Sequence, residues 1–245
     1  MPIVVFNADD FGLSKGVNYG ILDSHLYGVV ASTTMLVNMP ATEHAVALAK
    51  QHPSLQVGIH LALTIGAPVS SEVPSLVDHS GQFRKLQAQR NEAIINPDDV
   101  LREWSLQIET FLRYGLKPSH LDSHHHIHRW AHLRTVIEEL SKTYQLPWRH
   151  SFEQMPEGAA FYTESFDDRF YKNGVSNQGI DQILADHTDV HSLEIMCHPA
   201  YGDEPLQQTS SYVEDRVKET EILIHYSLPS GWTLPAQKKD TPSTS

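Results

Sequence analysis

The sequence predicts an α/β fold built on a mainly parallel sheet or barrel, and three observations predict it. Apolar runs of strand length alternate along the chain with segments of helical apolar spacing, the pattern of repeated strand–helix–strand units. The first run, Ile3-Val4-Val5-Phe6, is apolar without alternation, as expected for a strand covered on both faces. The 245 residues, 40% of them hydrophobic, suffice for one sizeable core, and no internal repeat or linker divides them. A single domain over residues 1–235 is expected, with a disordered polar tail over residues 236–245.

The elements follow in order. After the opening strand, residues 14–27 carry apolar positions at helical spacing, with Ser14 as N-cap. "VVASTTMLVN" (29–38) reads as a second strand, residues 41–50 as a helix and "LQVGIHLALT" (55–64) as a third strand. Residues 65–97 are rich in Pro, Ser, Gly and charge without a clear period, and a surface excursion of that length is usually functional. The clearest amphipathic helix covers 97–114: Pro97 and two aspartates open it, Gly115 follows it, and Trp104 and Phe111 fit packing. "KPSHLDSHHHIH" (117–128) comes next, then a helix over roughly 129–144. Residues 150–180 hold aromatics and glycines with little period. "SLEIMCHPA" (192–200) is a short strand ending in His-Pro, and a last helix is expected over about 210–226.

Composition excludes several partners. A net charge of −12 with 18 Lys+Arg argues against nucleic acid and anionic membranes. No run of membrane-spanning length and no secretion signal is visible, so a cytoplasmic location is expected. A single cysteine, Cys197, allows no internal disulfide or CxxC-type zinc site. The outlier is histidine: 16, against 9 Tyr and 8 Phe, which points to metal or proton chemistry.

"NADDFG" (7–12) places two carboxylates where the first strand ends. Asp9 and Asp10 repel each other unless a cation lies beside them; the alternative is a simple turn. Four strands in all end in reactive side chains: Asp9 and Asp10, His60, the His120–His128 cluster, and His198. In a parallel barrel those ends meet. Strand alternation puts His120, Asp122 and His124 on one face, where Asp122 can orient a ligating histidine from behind. Two His and one Asp with open positions suit a hydrolytic divalent metal, and Asp10, His60 and His124 would supply them. His128, four residues after His124, is one helical turn away and is a neighbour or replacement. Phe11-Gly12 is expected to break the strand so that both carboxylates can face one ion, leaving Asp9 as the base for bound water. His198 is either a capped strand end or the proton donor opposite Asp9, and Cys197, on the other face, is core.

Together "NADDFGLSKGVNYGI", "STTMLVN", "VGIHLALT", "KPSHLDSHHHIH" and "SLEIMCHPAY" resemble the YdjC-type carbohydrate deacetylases, and most closely the chitooligosaccharide (diacetylchitobiose) deacetylases among them. The resemblance spans residues 3 to about 202 and is weaker over 145–190 and at "GWTLPAQKKD". It implies an irregular, TIM-barrel-like (β/α) barrel, a divalent ion (Mg2+ or Zn2+), a homodimer, and removal of one N-acetyl group from short chitin oligosaccharides such as diacetylchitobiose and chitotriose, with release of acetate. Carried over by position, its metal ligands fall on Asp10, His60 and His124, and its catalytic Asp on Asp9. Two other readings use the same residues. A metal phosphoesterase needs cationic clamps, and near these motifs only Lys15, Lys117 and Arg129 are expected, which favours uncharged acetylated sugars over phosphorylated ones. A non-catalytic metal- or sugar-binding protein has no need of the spare carboxylate.

Overall fold

A computed structural model describes residues 1–90 and 94–236. In chain order the elements are β1 (Ile3–Phe11), α1 (Lys15–Leu26), β2 (Val30–Met35), α2 (Thr42–Gln51), β3 (Gln56–Leu61), α3 (Leu86–Gln89) and α4 (Pro97–Arg113). They continue with β4 (Leu121–Ser123), α5 (Arg134–Tyr144), β5 (Ser165–Asp167), α6 (Asn177–Asp186), β6 (Ser192–Cys197), α7 (Glu204–Thr209) and α8 (Glu214–His225).

The strands form one sheet in the order β4-β3-β2-β1-β6-β5, every pairing parallel. β1 lies between β2 and β6, and its Val4, Phe6, Ala8 and Phe11 are fully buried, which is why its sequence shows no alternation. Beyond β4 the pairing continues through Trp148 to Phe161, and the chain then runs directly into β5 at the other edge. The sheet is thereby curled into a half-barrel with helices around it, a TIM-barrel-like α/β fold, and its strand ends converge on one side.

Local chemistry sets the helices. The Ser14 hydroxyl accepts the Val17 N–H at 3.1 Å and caps α1 as its sequence predicts. Gly20 of α1 lies so close to the chain after β6 that a Cβ there would sit 2.4 Å from the Cα of Ala200. α4 opens on Asn96, whose side chain accepts the Asp98 N–H, with Pro97 in the first turn, and it buries Trp104 and Phe111. Cys197 is core, as expected.

Three expectations need correcting. The helix expected from residue 129 starts at Arg134, because His125 and His126 are left-handed (φ 59° and 51°) and Trp130 is extended. The helix expected from 210 starts at Glu214, with α7 a separate turn before it. β5 lies in the stretch that showed little period and α6 starts near its end, at Asn177; β5 has only 3 residues, too few to express one. The tail expected from Ala236 lies, from residue 237, outside the described residues. Among the described residues no helix is long and apolar enough to cross a membrane.

Candidate metal and catalytic site

The carboxyl ends of β1, β3 and β6, with the chain just past β4, deliver Asp9, Asp10, His60, His124 and His198 to a single cavity of about 1010 Å³. Asp10 reaches it by a backbone device. Its φ is +72°, and the β1–β2 register slips between Ala8 and Phe11. The strand ends at Phe11 and Gly12 is left-handed (φ +98°) as expected, but the chain already kinks at Asp10; Asp is one of the few side chains that tolerate this region, and the kink sends both carboxylates to the same side.

Three donor atoms then converge. Asp10 Oδ1 lies 3.0 Å from His124 Nδ1 and 3.4 Å from His60 Nε2. Ligands at about 2.0–2.2 Å from one ion are roughly 3.0–3.5 Å from each other, so the set fits a divalent cation. His60 is oriented from behind: its Nδ1 meets Asp122 Oδ1 at 2.7 Å, which turns the Nε2 lone pair toward Asp10. Thr34 donates to the other Asp122 oxygen at 2.9 Å.

Two arginines complete the cluster, and neither was visible as a site residue in the sequence. Arg149 is fully buried: Nη2 and Nη1 reach the two oxygens of Asp9 at 2.6 and 2.8 Å, Nη2 reaches Asp122 at 2.9 Å, and Nε reaches Glu194 at 2.8 Å. Arg216 Nη2 donates to Asp10 Oδ2 at 2.6 Å, leaving Oδ1 to the histidine side. Arg149 lies just before the aperiodic stretch and Arg216 in an ordinary charged helix, so no local pattern marks them. The available signal was a charge argument: several buried carboxylates require buried cations.

The charges follow from these pairs. Burial by itself raises the Asp9 carboxyl, but the Arg149 guanidinium on both its oxygens holds it well below the usual range. Arg216 and His124 do the same for Asp10 against the same burial effect. Burial depresses His60, yet Asp122, Asp10 and Asp9 overcome it and push the ring up to about 10. Burial and the nearby Arg216 push His198 down to about 4, leaving it neutral. Its backbone N–H donates to buried Glu219, which also accepts the Tyr212 hydroxyl at 2.5 Å and which burial pushes up to about 8. Glu194 is pushed up to about 7, burial outweighing Arg149.

The expected role of His128 as neighbour or substitute ligand is overturned. The left-handed turn at His125 and His126 destroys the helical spacing on which it rested, and His128 is buried elsewhere, Nδ1 on Ser123 Oγ and Nε2 on Ser151 Oγ, both at 2.6 Å. His120 sits below the site, stacked on Tyr162 with ring centroids 3.8 Å apart. Asp9, His60 and Asp122 also bring donor atoms within 4.8 Å of one another, but the guanidinium of Arg149 already occupies the Asp9–Asp122 side.

The long excursion supplies one cavity wall, including Ile65, Phe83, Lys85 and Arg90, and Tyr212 faces the site from the segment before α8. Lys85, Arg90 and Arg216 are therefore the cations at the cavity, whereas Lys15 and Lys117, the ones expected, do not line it. Arg129 lines an adjoining groove.

This arrangement accompanies a family match: the model for YdjC-like proteins covers residues 3–231. The chain belongs to the YdjC-like family. It is 46% identical over 235 residues to the carbohydrate deacetylase of Halalkalibacterium halodurans, covering 94% of this chain and 99% of that one. The carbohydrate deacetylase of Brevibacillus brevis is 44% identical, with 90% of each chain covered. A crystal structure from Enterococcus faecalis V583, described as a candidate cellobiose-phosphate cleavage protein, superposes with a TM-score of 0.86 at 34% identity over 91% of this chain and 90% of that one.

Proposed function

We propose that this YdjC-like protein is a metal-dependent hydrolase that removes an N-acetyl group from short chitin-type oligosaccharides and releases acetate. The observation that carries the reading is the convergence of Asp10 Oδ1, His60 Nε2 and His124 Nδ1 beside a spare carboxylate, Asp9, and a neutral imidazole, His198, in one cavity. A protein that only bound metal or sugar has no use for that acid–base pair. The names of the relatives support the deacetylase reading.

Asp10, His60 and His124 would hold the divalent ion. When bound, such an ion polarises the acetamide carbonyl and acidifies a coordinated water. Each residue of the chain then has one task. Asp122 fixes the His60 tautomer; Arg149 fixes Asp9, so that the carboxylate is in place without rotamer search. Asp9 takes the proton from the attacking water. It passes that proton to His198, which is neutral at rest and, once protonated, delivers it to the departing nitrogen as the C–N bond breaks. The products are acetate and the free amino sugar. Acetate release from diacetylchitobiose, with phosphate release from a generic phosphomonoester as control, tests this: acetate without phosphate is expected, and phosphate without acetate refutes it.

One observation favours a second reading of the substrate. Lys85 and Arg90 on the cavity wall offer an anionic substituent a binding place, and a similar structure is described by a sugar phosphate. This reverses the preference for uncharged sugars drawn from the sequence. If it holds, the 6-phosphorylated acetylated disaccharide has the higher kcat/KM, and Lys85→Ala with Arg90→Ala removes the advantage; equal kcat/KM for the two sugars in the parent refutes it.

A further inference from the structure

Beside the main cavity lies a more open groove of about 340 Å³, and Asp168 lines both. Small-ligand sites run from about 300 to 1,000 Å³, so the groove, near the lower end of that range, has room for one further sugar unit. Apart from Arg129, its lining belongs to the stretch 145–190, which the proposed reaction leaves almost unused except for Arg149.

Its walls have the chemistry of sugar recognition. Two rings are braced from behind: Phe152 packs edge-on against His128 and Trp148, at centroid distances of 5.1 and 6.2 Å, and Phe166 is held by the Arg149 guanidinium at 4.9 Å and the His126 ring at 5.5 Å. Such fixed rings offer apolar faces to the C–H face of a pyranose. His150 stacks on Phe161 and gives its Nδ1–H to the Glu164 carbonyl, which leaves Nε2 as an acceptor for a hydroxyl. Among the described residues the side chains of Arg129 and Asp168 have no hydrogen-bond or ion-pair partner, so a donor fork and an acceptor pair stand free on the same groove.

We propose that this groove is a second sugar-binding subsite, continuous with the catalytic cavity across Asp168, that receives the next unit of an oligosaccharide and sets the preference for chain length. It rests on the oligosaccharide reading above.

The test is the ratio of kcat/KM for the fully acetylated trisaccharide over that for the disaccharide, measured by acetate release from the full-length metal-loaded protein. In the parent the ratio is expected to be about ten, carried by KM, which is one tenfold step in affinity for the added unit. Arg129→Ala, an exposed side chain whose loss does not threaten the fold, and Phe152→Ala should both bring it close to one. A parent ratio near one, or a high ratio that survives in Arg129→Ala, overturns the subsite while leaving the deacetylase reading intact. Failure of both sugars to release acetate instead refutes the deacetylase reading itself.

Discussion

Arg149 is the residue on which the site depends most, and replacing it by Met shows how much. The side chain is fully buried and pairs with Asp9, Asp122 and Glu194 at 2.6 to 2.9 Å. Removing one partner of a buried ion pair costs about 3–5 kcal/mol, because the remaining charge has no solvent to turn to. For a chain of this length each kcal/mol lowers the melting temperature by roughly 2–4 °C, so Arg149→Met should melt about 6–20 °C below the parent. Glu194, already pushed up to about 7, can take a proton and keeps the loss toward the lower end. Activity should fall by about 10²- to 10⁴-fold, the usual value of a general base, because Asp9 loses the fork that orients both of its oxygens. Arg149→Lys keeps the charge but cannot bridge three carboxylates, so it should recover more stability than rate. Thermal melting and acetate release read the two effects separately. Arg149→Met melting within about 2 °C of the parent with undiminished acetate release would falsify the bracket assigned to this residue.

Three further outcomes follow from the geometry. His128→Ala leaves Ser123 and Ser151 without their partner and opens space against Trp148 and Phe152; it should cost about 2–4 kcal/mol in denaturant unfolding and leave metal content unchanged, whereas loss of metal restores the ligand role denied here. Gly20→Ala drives a Cβ into the backbone of Ala200, two residues after His198, and should cost about 1–3 kcal/mol and lower kcat; an unaffected kcat shows that α1 does not position His198. Glu194 and Glu219 are pushed up to about 7 and about 8, so the folded chain holds protons that the unfolded chain gives up, and stability is lost as pH rises from the ordinary carboxylate range through these values. The buried neutral histidines act oppositely, but only below their ordinary titration near 6.5, whereas His60, pushed up to about 10, adds to the loss above it. The melting temperature should therefore fall between about pH 6.5 and 8.5, and a rise across that window contradicts the burial assigned to these two acids.

What was legible in the sequence is what short-range periodicity encodes. β1, β2, β3 and β6 are short runs rich in apolar and β-branched residues, and the ends of β1, β3 and β6 carry Asp9, Asp10, His60 and His198, so a parallel sheet and a shared site are expected from order and spacing alone. The alternation through His120, Asp122 and His124 likewise holds along β4 and places these residues at successive depths. It stops at His125, where positive φ values replace strand and helix alike, and nothing in a run of histidines announces that. Arg149 and Arg216 were hidden for another reason: they reach the site across 140 and 206 positions of sequence, and their partners are chosen by tertiary charge balance rather than by neighbours along the chain. The cations of the long excursion were hidden in the same way, since the path of that segment back over the cavity is set by packing.

The central claim is that Asp10, His60 and His124 hold a divalent ion while Asp9, one residue away, serves the water. Metal content after dialysis, measured by elemental analysis alongside acetate release, tests it most directly. Asp9→Asn should keep its metal and turn over about 10² to 10⁴ times more slowly, whereas Asp10→Asn and His124→Ala should lose metal and activity together. Full metal occupancy in His124→Ala, or loss of metal from Asp9→Asn while Asp10→Asn retains it, contradicts the account.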